Sequence, residues 1–187
     1  MELSITLIIV IVTCVISISA FSNQRIMEDL IFYPPAITRR KQWYRFFSCG
    51  LIHADYMHLA FNMYALYSFG TNVENGVTYS MGRGSGAELD NGFIQIFGAT
   101  EGKTLYLLMY ILALGFCLLP TFAKHKDDYH YRSLGASGAV SAVIFAGMVL
   151  EPRTGVGLIF IPAFIFRLYF RTIVPHHLSF SCQKGQG

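Results

Sequence analysis

Three short stretches of this sequence put side chains capable of chemistry where polarity is costly. In His53-Ala-Asp-Tyr-Met-His58-Leu-Ala-Phe-Asn62, His58 and Asn62 stand four residues apart, so they share one face of a helix. They open an otherwise apolar run. Each is therefore either a functional group or a hydrogen-bonding tie to a neighbouring helix, and spacing alone does not separate the two. Gly135-Ala136-Ser137-Gly138 opens another apolar run. A serine at a helix N-terminus lies beside unpaired backbone N–H groups, which could hold a developing oxyanion next to its hydroxyl. The same small residues, with Ala139, Ser141 and Ala142, also permit close helix approach, in which case Ser137 only packs. No strand-like segment leads into Ser137, so it is not the nucleophile elbow of soluble hydrolases. Trp43-Tyr44-Arg45, in a polar stretch, reads by itself as an interfacial aromatic with a basic neighbour.

Two other patterns carry less. His53, Asp55, His58, His125, Asp127 and His130 are metal-ligand types, but nothing in their spacing fixes a geometry. No metal or cofactor is expected. Gly82-x-Gly84-x-Gly86 lies in a glycine-rich connector from Gly76 to Gly92. No strand precedes it and no dinucleotide-type helix follows, so the expectation is a flexible loop. The four cysteines (Cys14, Cys49, Cys117 and Cys182) include no CxxC pair, which argues against a disulfide framework or a zinc site.

The elements that must position these groups are expected to be membrane spans. Hydrophobic residues make up 53% of the 187 and charged residues 13%, against about 25% charged in soluble domains. The mean hydropathy is +0.46. One domain of this length could not hide so much apolar surface in a water-soluble core. The net charge of +3 is too small and too scattered for nucleic acid binding. A bilayer core needs roughly 20 apolar residues in a helix. Residues 3–21 qualify, and a retained span is expected there rather than a signal peptide, because it is preceded by Glu2 and by no Lys or Arg, and the apolar run is longer than a typical h-region. Further spans are expected near 56–70, 104–123 and 137–150, with a fifth over 155–166 and onward. The expected fold class is an all-α integral membrane bundle of about five transmembrane helices.

Taken in order, these features resemble the rhomboid family of intramembrane serine proteases, of bacterial type. A Trp-x-Arg element stands in the first loop (Trp43, Arg45). A His-x4-His-x3-Asn element opens the second span (His53, His58, Asn62), and a Gly-x-Ser-Gly element opens the fourth (Gly135, Ser137, Gly138). The resemblance covers residues 1–166, expected as a rhomboid-like transmembrane domain, and leaves 167–187 as an atypical tail. It implies that Ser137 is the nucleophile, and that His58 and Asn62 join the Ser137 N–H in an oxyanion hole. Gly135 and Gly138 are the motif glycines, and His53, Trp43 and Arg45 support the site. It also implies transmembrane protein substrates cleaved at or near their spans, a lipid bilayer as surroundings, a multi-pass location in a bacterial inner membrane, and no cofactor, metal or nucleic acid.

Two departures from that family are visible. The connector of Gly76 to Gly92 looks inserted. The family also needs a sixth span carrying a histidine as general base, and none is recognisable here. After Phe166 come Arg167 and Arg171, then Pro175, His176 and His177. The expectation is a frameshift or truncation near Phe166 and an impaired protease, with a non-catalytic pseudoprotease that binds membrane helices as the alternative. Orientation is in tension as well. The resemblance puts residues 22–55 and 123–133 outside, where Arg25, Arg39, Arg40, Lys41, Arg45, Lys124, Lys126 and Arg132 lie, against Arg83, Lys103 and Arg153 inside. The positive-inside rule favours the reverse; the resemblance is followed.

Overall fold

The computed structural model describes residues 4–81, 85–89 and 92–150. Its first long helix, α1 (Ile5–Ser22), is apolar throughout yet buries a face of Thr6, Ile9, Thr13, Ser17 and Ala20. Those positions recur at helical spacing, so three hydroxyls point inward from a segment that reads as plainly hydrophobic. The helix begins on a carboxylate. Glu74, fully buried, accepts from the Ser4 hydroxyl (2.7 Å), the Ile5 N–H (2.7 Å) and the Thr6 N–H (2.9 Å). It satisfies donors that a helix N-terminus otherwise leaves orphaned.

Glu74 belongs to α5 (Tyr56–Asn75), which starts where the second span was expected and runs five residues further, so that the carboxylate reaches α1. At its start, the Asp55 side chain caps it by accepting from the His58 N–H at 2.8 Å. Helix α5 packs on α1, on α7 (Ala99–Phe116) and on α9 (Ser137–Leu150). Gly70 makes the closest approach. A Cβ there would stand 2.6 Å from the Tyr106 hydroxyl oxygen of α7 and 2.8 Å from Thr6 Cγ2 of α1. Thr6 in turn donates to the Tyr106 hydroxyl at 3.0 Å. The apolar core gathers Leu59, Met63, Leu66 and Val73 of α5 with Tyr106, Tyr110, Ala139, Val140 and Val143.

The stretch between the first two spans, read above as a polar loop, is ordered. It holds α2 (Gln24–Leu30), α3 (Pro34–Arg40), α4 (Arg45–Ser48) and a 3-10 turn (Cys49–Leu51). Phe32, Ile37, Phe46 and Cys49 form a second core, closed by Leu118, Phe122 and Tyr131. Its apolar residues are too irregularly spaced to announce any helix. The third span also differs from expectation. It starts at Ala99 rather than Thr104, α7 ends at Phe116, and α8 (Leu119–His125) follows. Pro120 sits in the first turn of α8, where its missing N–H costs nothing, instead of ending the preceding helix.

The glycine-rich connector is not simply a loop. Strand β1 (Val77–Met81) pairs antiparallel with β2 (Ser85–Leu89), Val77 opposite Leu89 and Met81 opposite Ser85. The β-forming Val77, Thr78 and Tyr79 start the hairpin, and a short helix, α6 (Phe93–Phe97), follows it. This hairpin is the exception to an otherwise all-helical fold among the described residues. The fifth span expected at 155–166, the 166/167 boundary and the tail at 167–187 lie outside the described residues.

Among the described residues, two helical stretches are long and apolar enough to cross a bilayer: Ile5–Ser22 (mean hydropathy 2.6) and Ala99–His125 (2.1). Ser137–Leu150 is apolar but shorter. Only 28% and 17% of the most apolar 18 residues of these two stretches is buried. Leu7, Ile11, Val15, Leu108, Leu112 and Phe116 face outward. A soluble core helix would hide such side chains; here they form apolar outer faces of the kind lipid covers.

Candidate active site

Ser17 touches the connector just before α5, and Ser4 touches the far end of α5, so α1 and α5 run antiparallel. The start of α5, the first loop and the start of α9 therefore share one end of the bundle. Phe32 and Ser133 exchange backbone hydrogen bonds (3.0 and 3.1 Å), joining the first loop to the segment that enters α9. Arg39 lies over the Tyr129 ring and Arg132 over the Tyr33 ring.

At this end the chain turns through Gly135 at φ +111°, a conformation that side-chain-bearing residues avoid. Its N–H donates to the Cys49 carbonyl at 2.9 Å. Its open face receives the His58 ring: a Cβ on Gly135 would stand 3.0 Å from His58 Cε1 and 3.5 Å from Nε2. Ala136 is fully buried, and its carbonyl accepts the first helical bond of α9 from the Val140 N–H. Ser137 then opens α9 with its side chain exposed. Its backbone N–H falls in the first turn, where no carbonyl of the helix can receive it. Gly138 packs against Cys117, whose Sγ would lie 2.5 Å from a Cβ at that position.

One turn into α5, Asn62 is buried and donates one amide hydrogen to the His58 carbonyl at 2.9 Å. Its second amide hydrogen remains to be given elsewhere. His53 lies beneath His58, the two rings 5.1 Å apart and edge to face. Ser17 donates its proton to the Leu51 carbonyl (2.8 Å) and lies 3.0 Å from His53 Nδ1. The hydroxyl has one proton, so His53 must donate from Nδ1, which leaves Nε2 a bare acceptor. That Nε2 is buried and has no partner among the described residues. Burial first, then the neighbouring His58, holds the His53 pKa down at about 4, with Asp55 opposing. Geometry and electrostatics agree that His53 is neutral.

The Trp-x-Arg element stands apart from Ser137. Arg45 is 5% exposed. It donates to the Glu28 and Ile31 carbonyls (2.8 and 2.7 Å) and to Gln42 Oε1 (2.7 Å), all within the first loop. It braces the loop whose Cys49 carbonyl holds Gly135. Trp43 is exposed and stacks on Phe46, with Phe122 alongside. The metal-type residues do not gather. His125 pairs with Asp128 at 3.2 Å in another loop, and among the described residues no three His, Cys, Asp or Glu side chains come together. Sequence reasoning missed Ser17, which sets the His53 tautomer, and Glu74. Their signals were a hydroxyl stripe at helical spacing in an apolar span, and a lone carboxylate at a span's end.

A serine hydroxyl stands beside a free backbone N–H at a helix N-terminus, with the His58 imidazole on Gly135 two residues away and the Asn62 amide one turn further along α5, donor groups of the kind that stabilise an oxyanion.

Comparison with known proteins accords with this. The Rhomboid domain family model matches residues 40–180 of the chain, which include Trp43, Arg45, α5, α7 and α9 but leave out α1 with its Ser17, α2 and nearly all of α3. Rhomboid-like protein 15 of Arabidopsis thaliana is 27% identical over 147 residues, or 74% of this chain and 32% of that protein. The chain thus spans about a third of the length of this curated relative. No solved structure matches it.

Proposed function

Because the chain belongs to the rhomboid family, a family of membrane proteins, we propose that it is a multi-pass serine endopeptidase that cuts membrane-anchored proteins at or near their transmembrane segments. Ser137 attacks the scissile carbonyl. The oxyanion forms against the Ser137 N–H, the His58 imidazole and the second amide hydrogen of Asn62. Gly135 leaves room for the imidazole, and Gly138 lets α9 approach Cys117. The single observation that carries this reading is the His58 ring seated on Gly135, two residues from Ser137. It gathers two motifs about eighty residues apart at one end of the bundle. The five spans expected from the sequence fit this reading, α1, α5, α7 and α9 being four of them and 155–166 the start of the fifth.

A second reading, a rhomboid-like protein that holds membrane helices without cutting them, also has an observation behind it. Among the described residues the imidazoles with side-chain hydrogen bonds are His53, to Ser17, and His125, to Asp128, and neither meets the Ser137 hydroxyl; a serine without an adjacent base is a weak nucleophile. Reconstitution with a single-span substrate separates the two. The protease reading expects cleavage that Ser137→Ala abolishes without loss of folding. Co-purification of the substrate uncut, equally by both proteins, selects the second.

A further inference from the structure

The first loop and α7 leave two apolar grooves on the outside of the bundle, one on each side of the Phe47 ring. The smaller, about 300 Å3, is bounded by Trp43, Phe47, Leu112, Gly115 and Phe116. The larger, about 530 Å3, lies between α1 and α7 and is bounded by Val12, Tyr44, Phe47, Leu107 and Ile111. Both are of ligand-site size, roughly 300–1,000 Å3. Gly115 faces the dividing ridge, with Phe47 Cε1 in ordinary contact range, 3.4 Å from where its Cβ would stand. We propose that the paired grooves hold one anionic, two-chained phospholipid, an acyl chain in each groove and the headgroup at the Lys41 end.

Three observations select this occupant. The lining is apolar, so ordered water finds no partners in it, while the surroundings of a membrane protein supply hydrocarbon chains. Two chains suit two grooves divided by one ring, and the adjacent aromatics Trp43 and Tyr44 stand one in each groove. Trp and Tyr are the side chains that settle at headgroup level. Charge marks the same end. The Lys41 carbonyl accepts the Trp43 backbone N–H at 3.0 Å, so an exposed lysine stands on the same turn as the indole. Phe122 lies against Trp43, and exposed Lys124 follows two residues later. Neither lysine forms an ion pair among the described residues. A lipid seated here would tie α1 and α7 to the loop that holds Gly135. The inference rests on the membrane location and not on catalysis.

Trp43 is the chain's single tryptophan, so its fluorescence reports on the smaller groove. The full chain is reconstituted in phosphatidylcholine vesicles containing rising fractions of phosphatidylglycerol with brominated acyl chains, which quench tryptophan on contact. Brominated phosphatidylcholine is the comparison. The expected result is quenching that saturates at a low fraction of the anionic lipid and is weaker and non-saturating with the zwitterionic one. Lys41→Gln and Lys124→Gln should each weaken apparent affinity about fivefold, the attraction of one basic side chain for anionic lipid. Gly115→Leu, which fills the smaller groove, should remove the saturating component. Equal, non-saturating quenching by both lipids would mean an ordinary lipid shell and overturn the proposal. So would absence of quenching, or an unchanged phosphatidylglycerol curve in both lysine variants.

Discussion

Replacing Glu74 with alanine would strip the start of α1 of its acceptor. Two backbone N–H groups and the Ser4 hydroxyl now end on that carboxylate at 2.7–2.9 Å. A hydrogen bond to a charged group contributes about 1.5–3 kcal/mol. Simple addition over three such bonds overstates the loss, because Ser4 and Ile5 are only half-buried and water can reach them. Thr6 is fully buried and has no such relief. The expected loss for Glu74→Ala is about 3–5 kcal/mol, from about 1–3 kcal/mol for each donor left without a partner, less where water reaches it. Glu74→Gln keeps the shape and one acceptor, and should cost about 1.5–3 kcal/mol. Reversible unfolding in mixed micelles, followed by circular dichroism, measures both. A double-mutant cycle with Ser4→Ala should show a coupling of about 1 kcal/mol. If Glu74→Ala unfolds within about 0.5 kcal/mol of the parent, the carboxylate does not hold α1 and the reasoning fails.

Three further outcomes follow from the site. Gly135→Ala combines an unfavourable positive φ with a Cβ 3.0 Å from His58 Cε1; it should cost about 1–3 kcal/mol in the same unfolding assay and reduce cleavage sharply. His53, in the connector before α5, is held neutral with its pKa lowered to about 4 from 6.5. The unfolded chain binds the proton more readily, so stability is full above about pH 6.5 and falls, by up to about 3 kcal/mol, as pH drops from 6.5 to 4; His53→Gln should flatten that slope in thermal melts. In a cleavage assay, His58→Ala and Asn62→Ala should each lower turnover by about 100-fold or more with little change in folding; unchanged rates in both would remove the oxyanion assignment.

How much of this was legible beforehand depended on the kind of signal. Helix α1 was readable because an unbroken apolar run of span length has few other outcomes. The start of α5 was readable because the apolar run begins at Tyr56, directly after a polar stretch; that Asp55 caps it was not read. The first loop was not, since Phe32, Ile37, Phe46 and Cys49 follow neither helical nor strand periodicity and meet only through a core shared with Leu118 and Phe122. The hairpin was missed because Gly82, Gly84 and Gly86 outweighed the β-forming Val77-Thr78-Tyr79 beside them. For the site, motif order pointed to His58, Asn62 and Ser137, but roles drawn from distant contacts were invisible. Ser17 acts on His53 across 36 positions, and Glu74 acts on Ser4 across 70. Arg45 read as an interfacial charge, although its three hydrogen bonds brace the first loop.

Reaction of Ser137 with a fluorophosphonate tests the central claim most directly. The serine oxygen attacks phosphorus, fluoride leaves, and the hydroxyl proton passes to a base, so only an activated serine is modified at neutral pH. The full chain in lipid vesicles should take up one label, located by peptide mass spectrometry on Ser137, lost in Ser137→Ala and slowed in His58→Ala. A parent protein left unlabelled under conditions that modify a control serine hydrolase, or one labelled at a residue other than Ser137, would contradict the account.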